Sequence, residues 1–176
     1  IRFFAGLIGT SFYAFISIHE ISSQHYKLME QSVTDSLTGL YNRTLLQRSI
    51  EVAIQQFNRS DTAMTLVMLD LDHFKKINDE FGHPTGDSVL KSIGSCLRTS
   101  FRSTDKVFRI GGEEFLVLLY NTDKDNALEV ATKVKNKIET LPLLPDRSVT
   151  ASIGVSSLKV DCNWEQWMKN CDKKLY

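Results

Sequence analysis

Two acidic clusters carry the chemistry open to this chain. Asp70-Leu71-Asp72 closes a nearly continuous apolar run, Ala63-Met64-Thr65-Leu66-Val67-Met68-Leu69. Glu113-Glu114 follows Gly111-Gly112 some forty positions later. Carboxylates at the end of a buried strand, facing a second acidic turn, offer hard oxygen donors. Such donors suit a divalent cation, and magnesium keeps several waters and takes one or two carboxylates plus substrate phosphates. Taken alone, the second cluster also reads as a solvated turn that happens to be acidic.

The elements that must position these groups follow from periodicity. The apolar run 63–70 reads as a strand buried on both faces. Lys106 to Ile110 and Phe115 to Tyr120 flank the two glycines, which predicts a tight hairpin with φ > 0 in its turn. Between the clusters, His73 to Phe81 predicts a short helix. Its first N–H groups lack intrahelical partners and carry the positive end of the dipole, so a triphosphate can dock there. Lys75 adds a full positive charge in the same place. Gly82 to Asp87 breaks this helix and starts another, running to about Phe101, with Leu90, Ile93, Gly94 and Leu97 on its buried side.

Upstream, Leu45, Leu46, Ile50, Ala53, Ile54 and Phe57 give a helix from Arg43 to Phe57 a core face. Downstream come a helix from Asp123 to Leu141, ended by Pro142 and Pro145, a strand over 148–157, and a last helix from Trp164. Strands and helices in this order predict an α+β domain with a mixed, mostly antiparallel central sheet and helices packed on it.

Four blocks in sequence resemble the GGDEF family of diguanylate cyclases. Asp35-Ser36-Leu37-Thr38-Gly39-Leu40-Tyr41-Asn42-Arg43 is similar to that family's opening motif. Asp70-Leu71-Asp72-His73-Phe74-Lys75-Lys76-Ile77-Asn78-Asp79, then Phe81-Gly82-His83 with Gly86-Asp87, then Gly111-Gly112-Glu113-Glu114-Phe115, continue the pattern. The resemblance covers about residues 33 to 176. It implies a sheet of the kind shared with nucleotide cyclases and polymerase palm domains. It also implies synthesis of cyclic di-GMP from two GTP molecules, with magnesium (or manganese) as the metal.

At matching positions, the resemblance makes Asp70, the Leu71 carbonyl and Glu113 the metal-binding set, with Glu113 also assisting proton removal. Glu114 would be a further ligand or a support for one. Asp72 is expected only to cap the helix behind it. Phe74 would offer a backbone N–H to phosphate beside Lys75. Asn78 and Asp87 match a guanine-reading pair. Without the resemblance, Asn78 reads as a helix-surface residue and Asp87 as an N-cap. Arg102-Ser103-Thr104-Asp105 resembles the family's inhibitory product site, with Arg109 as a further contributor. The alternative is a surface Arg–Asp pair, which is common and worth little. Each domain would hold one GTP, so a homodimer follows from the stoichiometry. A non-catalytic receptor for cyclic di-GMP or GTP is the competing reading.

The chain also departs from the family. Ser36 stands where proline is usual, and Lys174 replaces a small residue in Asp172-Lys173-Lys174-Leu175-Tyr176. A lysine and an arginine that touch phosphate in the family lie past Tyr176. Starting at Ile1 and stopping inside an apparent helix, the sequence reads as a fragment.

The 176 residues suit one domain plus a short extension. Basic and acidic residues number 21 each, for zero formal net charge, which gives no support for a nucleic-acid-coating surface. Cys96, Cys162 and Cys171 have no metal-ligand spacing and read as reduced thiols of a cytosolic domain. Residues 3–18 carry no charge and are apolar all round. At about 1.5 Å per residue they fall short of a ~30 Å hydrocarbon core, so they read as the end of a membrane-spanning helix continued upstream. Residues 19–34 read as a helical connector, with weak coiled-coil spacing at Ile18, Ile21, His25, Leu28 and Ser32. Together these segments place the expected catalytic domain on the cytoplasmic side of an inner membrane.

Overall fold

The computed structural model describes residues 33–175. The apolar segment 3–18 and the connector up to residue 32 lie outside the described residues. Within them, no helix is long and apolar enough to cross a membrane.

The elements run α1 (Arg43–Ser60), β1 (Met64–Leu71), α2 (Phe74–Phe81), α3 (His83–Ser100), β2 (Lys106–Arg109), β3 (Glu114–Tyr120), α4 (Lys124–Glu139), β4 (Ala151–Ser157) and α5 (Trp164–Asp172). The sheet order is β2-β3-β1-β4, and each neighbouring pair is antiparallel. Among the described residues a parallel component enters only as a single bridge between Tyr41 and Phe108.

Helices on both faces explain why β1 is apolar along most of its length. Side chains alternate across a strand. Val67, Leu69 and Leu71 therefore join one core with Phe74, Ile77, Val89, Ile93, Ala131 and Val134, beneath α2, α3 and α4. Met64, Leu66 and Met68 join a second core with Leu46, Ile50, Ala53 and Trp167, beneath α1 and α5.

Backbone chemistry at the ends of the elements sets where the chain turns. Asn42 caps α1, its side chain accepting from the N–H groups of Thr44 (3.0 Å) and Leu45 (3.2 Å). Asp123 caps α4 through Asn126 N–H at 2.9 Å, so it precedes that helix instead of opening it. On the second core, Trp167 Nε1 donates to the Ser156 carbonyl at 2.7 Å, and the Cys171 thiol donates to the carbonyls of Leu66 and Gly154. A Cβ on Gly154 would strike the Cys171 carbonyl, so α5 approaches β4 closely only because residue 154 is glycine.

Three local expectations are corrected. α3 begins at His83, with Pro84 in its first turn, so Asp87 lies inside the helix and is not its N-cap. Proline there loses no hydrogen bond, because first-turn N–H groups have no intrahelical acceptor. The Gly111-Gly112 turn does not use positive φ, since only Gly39 and Gly82 among the described glycines have it. Asp72 does not cap α2. Its carboxylate accepts from Thr150 Oγ1 and Ser152 Oγ, both at 2.7 Å, and so fastens the end of β1 to β4 and the segment before it.

Candidate active site

The two acidic clusters meet at one end of the sheet. Antiparallel pairing sets Asp70 opposite Glu114, and Leu71 N–H donates to the Glu113 carbonyl at 3.3 Å. Burial raises the pKa of Asp70, and the negative charges of Glu113, Glu114 and Asp72 raise it further. These carboxylates therefore feel one another's charge at the same end of the sheet. By strand alternation Asp70 and Glu114 lie on the Met68 side, and Glu114 lines a cavity of about 360 Å³ with Arg43, Met68, Lys169 and Asp172.

The donors are all oxygen, which fits a hard divalent ion. Among the described residues no group of three or more His, Cys, Asp or Glu is placed to hold a metal ion by itself. Substrate oxygens would therefore have to complete the shell, as magnesium sites with few protein ligands require.

Beyond Asp72 the chain turns at His73, whose φ of 58° is left-handed, and enters α2 with no side-chain cap. The Phe74 ring is buried in the core, and its backbone opens the helix. Lys75 is exposed beside it. Asn78 leaves the last turn of α2 half-buried, while Asp87 is exposed on α3, one residue past the buried Gly86. The structure thus gathers Asp70, Glu113 and Glu114 at the sheet end and sets Asn78 against α3.

Arg102 and Asp105 occupy a different place. They line a cavity of about 390 Å³ that reaches Asn126 and Lys133 on α4. Asp105 closes its own turn, accepting from Arg102 N–H at 3.1 Å, and also accepts from Tyr120 N–H at 3.4 Å. The Arg102 guanidinium is not what Asp105 binds, so the expected alternative of a simple surface ion pair does not form.

Arg109 makes its hydrogen bonds away from this cavity. Its Nη1 donates to both carboxylate oxygens of Asp35, at 3.1 and 3.3 Å, while Nε and Nη2 donate to the Gly112 carbonyl, at 3.1 and 2.8 Å. It ties the entry to the domain to the tip of the β2–β3 hairpin. Asp35 also accepts from Thr38 N–H (2.8 Å) and Oγ1 (2.7 Å). Burial pushes the Asp35 carboxyl up, but the Thr38 hydrogen bonds and Arg109 outweigh it and hold the pKa below the ordinary value.

Sequence reasoning missed Lys133, which pairs with Glu129 on its own helix at 2.6 Å and lines the Arg102 cavity. Only the packing of α4 on the sheet and against α3 brings it there, so no local spacing could have pointed to it. Arg43 and Lys169 were likewise read as helix residues with no link to Glu114.

An antiparallel sheet with helices on both faces, carboxylates at one end and an uncapped helix start beside them define an α+β domain of nucleotide-cyclase type. Comparison with known proteins is more specific. Residues 32–176 match the family described as diguanylate cyclase, GGDEF domain, and the chain belongs to that family. Diguanylate cyclase DgcS of Shewanella oneidensis is 35% identical over 153 residues, covering 87% of this chain and 51% of that protein. The crystal structure of diguanylate cyclase SiaD of Pseudomonas aeruginosa, in complex with its activator SiaC, superposes with a TM-score of 0.79 at 33% identity, covering 98% of this chain and 69% of that one. The GGDEF domain of DgcB from Caulobacter crescentus, in complex with c-di-GMP, gives 0.77 at 26% identity, covering 81% and 84%. The chain spans about half the length of DgcS.

Proposed function

We propose that this domain is a diguanylate cyclase that condenses two GTP molecules into cyclic di-GMP and two pyrophosphates. The observation that carries the reading is the meeting of Asp70, Glu113 and Glu114 at one sheet end, next to the uncapped start of α2.

The residues divide the work. The first N–H groups of α2, at Phe74 and Lys75, together with the Lys75 ammonium, hold the triphosphate. Asn78 and Asp87 read guanine through its N–H donors, and adenine would leave them unpaired in its place. The 3′-hydroxyl oxygen of one GTP attacks the α-phosphorus of the other. The new O3′–P bond forms as the bond to the bridging oxygen breaks, and pyrophosphate leaves with that electron pair. Glu113 takes the hydroxyl proton. Magnesium or manganese, held by Asp70, the Leu71 carbonyl and Glu113 with support from Glu114, would neutralise the triphosphate and acidify the hydroxyl when bound. A second round closes the ring. Most of the acceleration comes from positioning and charge neutralisation, as in other phosphoryl transfers.

One GTP per domain requires two domains face to face, so the working unit is a homodimer. Cyclic di-GMP binds the cavity of Arg102, Asp105 and Lys133 and inhibits by holding the domains apart. Arginine suits this task because it pairs bidentately with phosphate and stacks on a base. GTP supply places the catalysis in the cytoplasm, with membrane attachment through the upstream apolar segment and no role for nucleic acid.

The test is to incubate the full-length protein with GTP and magnesium and detect the product by chromatography. Glu113→Gln should abolish turnover while the protein stays folded, and normal product formation by that variant would remove the metal assignment. Arg102→Ala should relieve inhibition in progress curves run with added cyclic di-GMP. Absence of product from the wild type, with tight binding of cyclic di-GMP, would favour a receptor instead.

A further inference from the structure

Gly86 is buried within the first turns of α3 and does not have positive φ. Its backbone conformation therefore gives no reason for glycine, and glycine inside a helix is unfavourable relative to alanine. The reason lies across the α2–α3 corner. A Cβ built on Gly86 would overlap Asn78 Oδ1. It would also stand 3.0 Å from Asn78 Cγ and 3.2 Å from Phe74 Cζ. The Asn78 carboxamide occupies the space a methyl group would take.

We infer that Gly86 is a specificity-determining position, which lets the Asn78 carboxamide lie against α3 beside Asp87 so that both face one base edge. The inference rests on the reading of Asn78 and Asp87 as the guanine-recognising pair. Gly86 touches no substrate in this account and is a positioning residue. An added methyl group displaces a flexible amide, not backbone, so the helix persists while the amide swings out of register with Asp87. Stability and base selection thus come apart at this position.

The experiment uses the full-length protein with GTP and ATP, in the variants Gly86→Ala, Asn78→Ala and the double variant. Gly86→Ala should melt at or above the wild-type temperature. Its KM for GTP should rise about tenfold, the loss expected for one hydrogen bond to a buried base, and by more than kcat falls. Its preference for GTP over ATP should narrow. In the Asn78→Ala background the same change should add nothing to KM. Should Gly86→Ala unfold while the double variant folds, Gly86 serves the packing of Asn78 and not base selection, and the inference falls. A wild-type KM and base preference in Gly86→Ala, an equal further loss in the Asn78→Ala background, or unfolding of both variants would overturn it. A wild type with no affinity for GTP would remove the functional reading as well, whereas the outcomes just named leave cyclic di-GMP synthesis intact.

Discussion

Asp70 holds an uncomfortable charge. Partial burial and three neighbouring carboxylates raise its pKa. A carboxyl whose folded pKa lies above its unfolded value favours folding below the unfolded pKa, about 3.9 for Asp. That contribution is lost as pH rises through the folded pKa. Asp70→Asn should therefore make no product yet melt at or above the wild-type temperature at pH 7. The difference should vanish below about pH 3.9. Melting curves across the acid range check this, and a variant that is both inactive and less stable at neutral pH would contradict it. That the two acidic clusters meet at one end of the sheet was legible in the sequence, because charge at the end of a buried apolar run has few structural reasons to exist. The Arg109–Asp35 link was not legible, because the position of Arg109 just before Ile110 and the glycines says nothing of Asp35, 74 positions upstream.

Among the elements, those whose periodicity reflects burial came through. β1 and the helices α1 and α4 show their core faces in the sequence, because the alternation or 3.6-residue repeat that buries them is local. Element ends were less legible. The start of α3 was masked by Gly82 and Pro84, which read as breakers although proline is tolerated in a first turn. The glycine turn was misread because glycine permits positive φ without requiring it. The Asp35–Arg109–Gly112 link belongs to this scale too, since it joins the entry segment to a hairpin. Asp35 has a depressed pKa, so its contribution is present above the unfolded value and is lost as pH falls through the folded one. Asp35→Asn should destabilise the domain by about 1–3 kcal/mol at neutral pH. The gap should narrow below about pH 3.9, where the wild-type carboxyl also begins to lose its charge in the unfolded chain. Denaturant melts at several pH values measure both, and a pH-independent difference would mean that the charge is not what matters.

For the whole molecule, two cores on one sheet separate the tasks. The layer of α2, α3 and α4 carries Asn78 and Asp87, the pair proposed to read the base, and the Arg102 cavity, and the layer of α1 and α5 backs Glu114. This division was not legible in advance, because it depends on which face each helix covers, and Lys133 reaches the Arg102 cavity only through it. The proposed assembly of product from one nucleotide per domain would make activity depend on association. Specific activity of the full-length protein should therefore fall on dilution, in step with dimer dissociation followed by light scattering. Activity per molecule that stays constant into the monomeric range would exclude the face-to-face arrangement.

The second core also contains its own chemical clock. The Cys171 thiol is enclosed by α5, β1 and β4, and burial pushes its pKa up to about 12. A thiol that is neutral and shielded does not react with alkylating reagents at physiological pH. Cys162 is only partly covered. The labelling of Cys171, read against Cys162 in the same tube, thus reports how often the helix Trp164–Asp172 lifts off the sheet, and its rate equals the opening rate once the reagent outpaces reclosing.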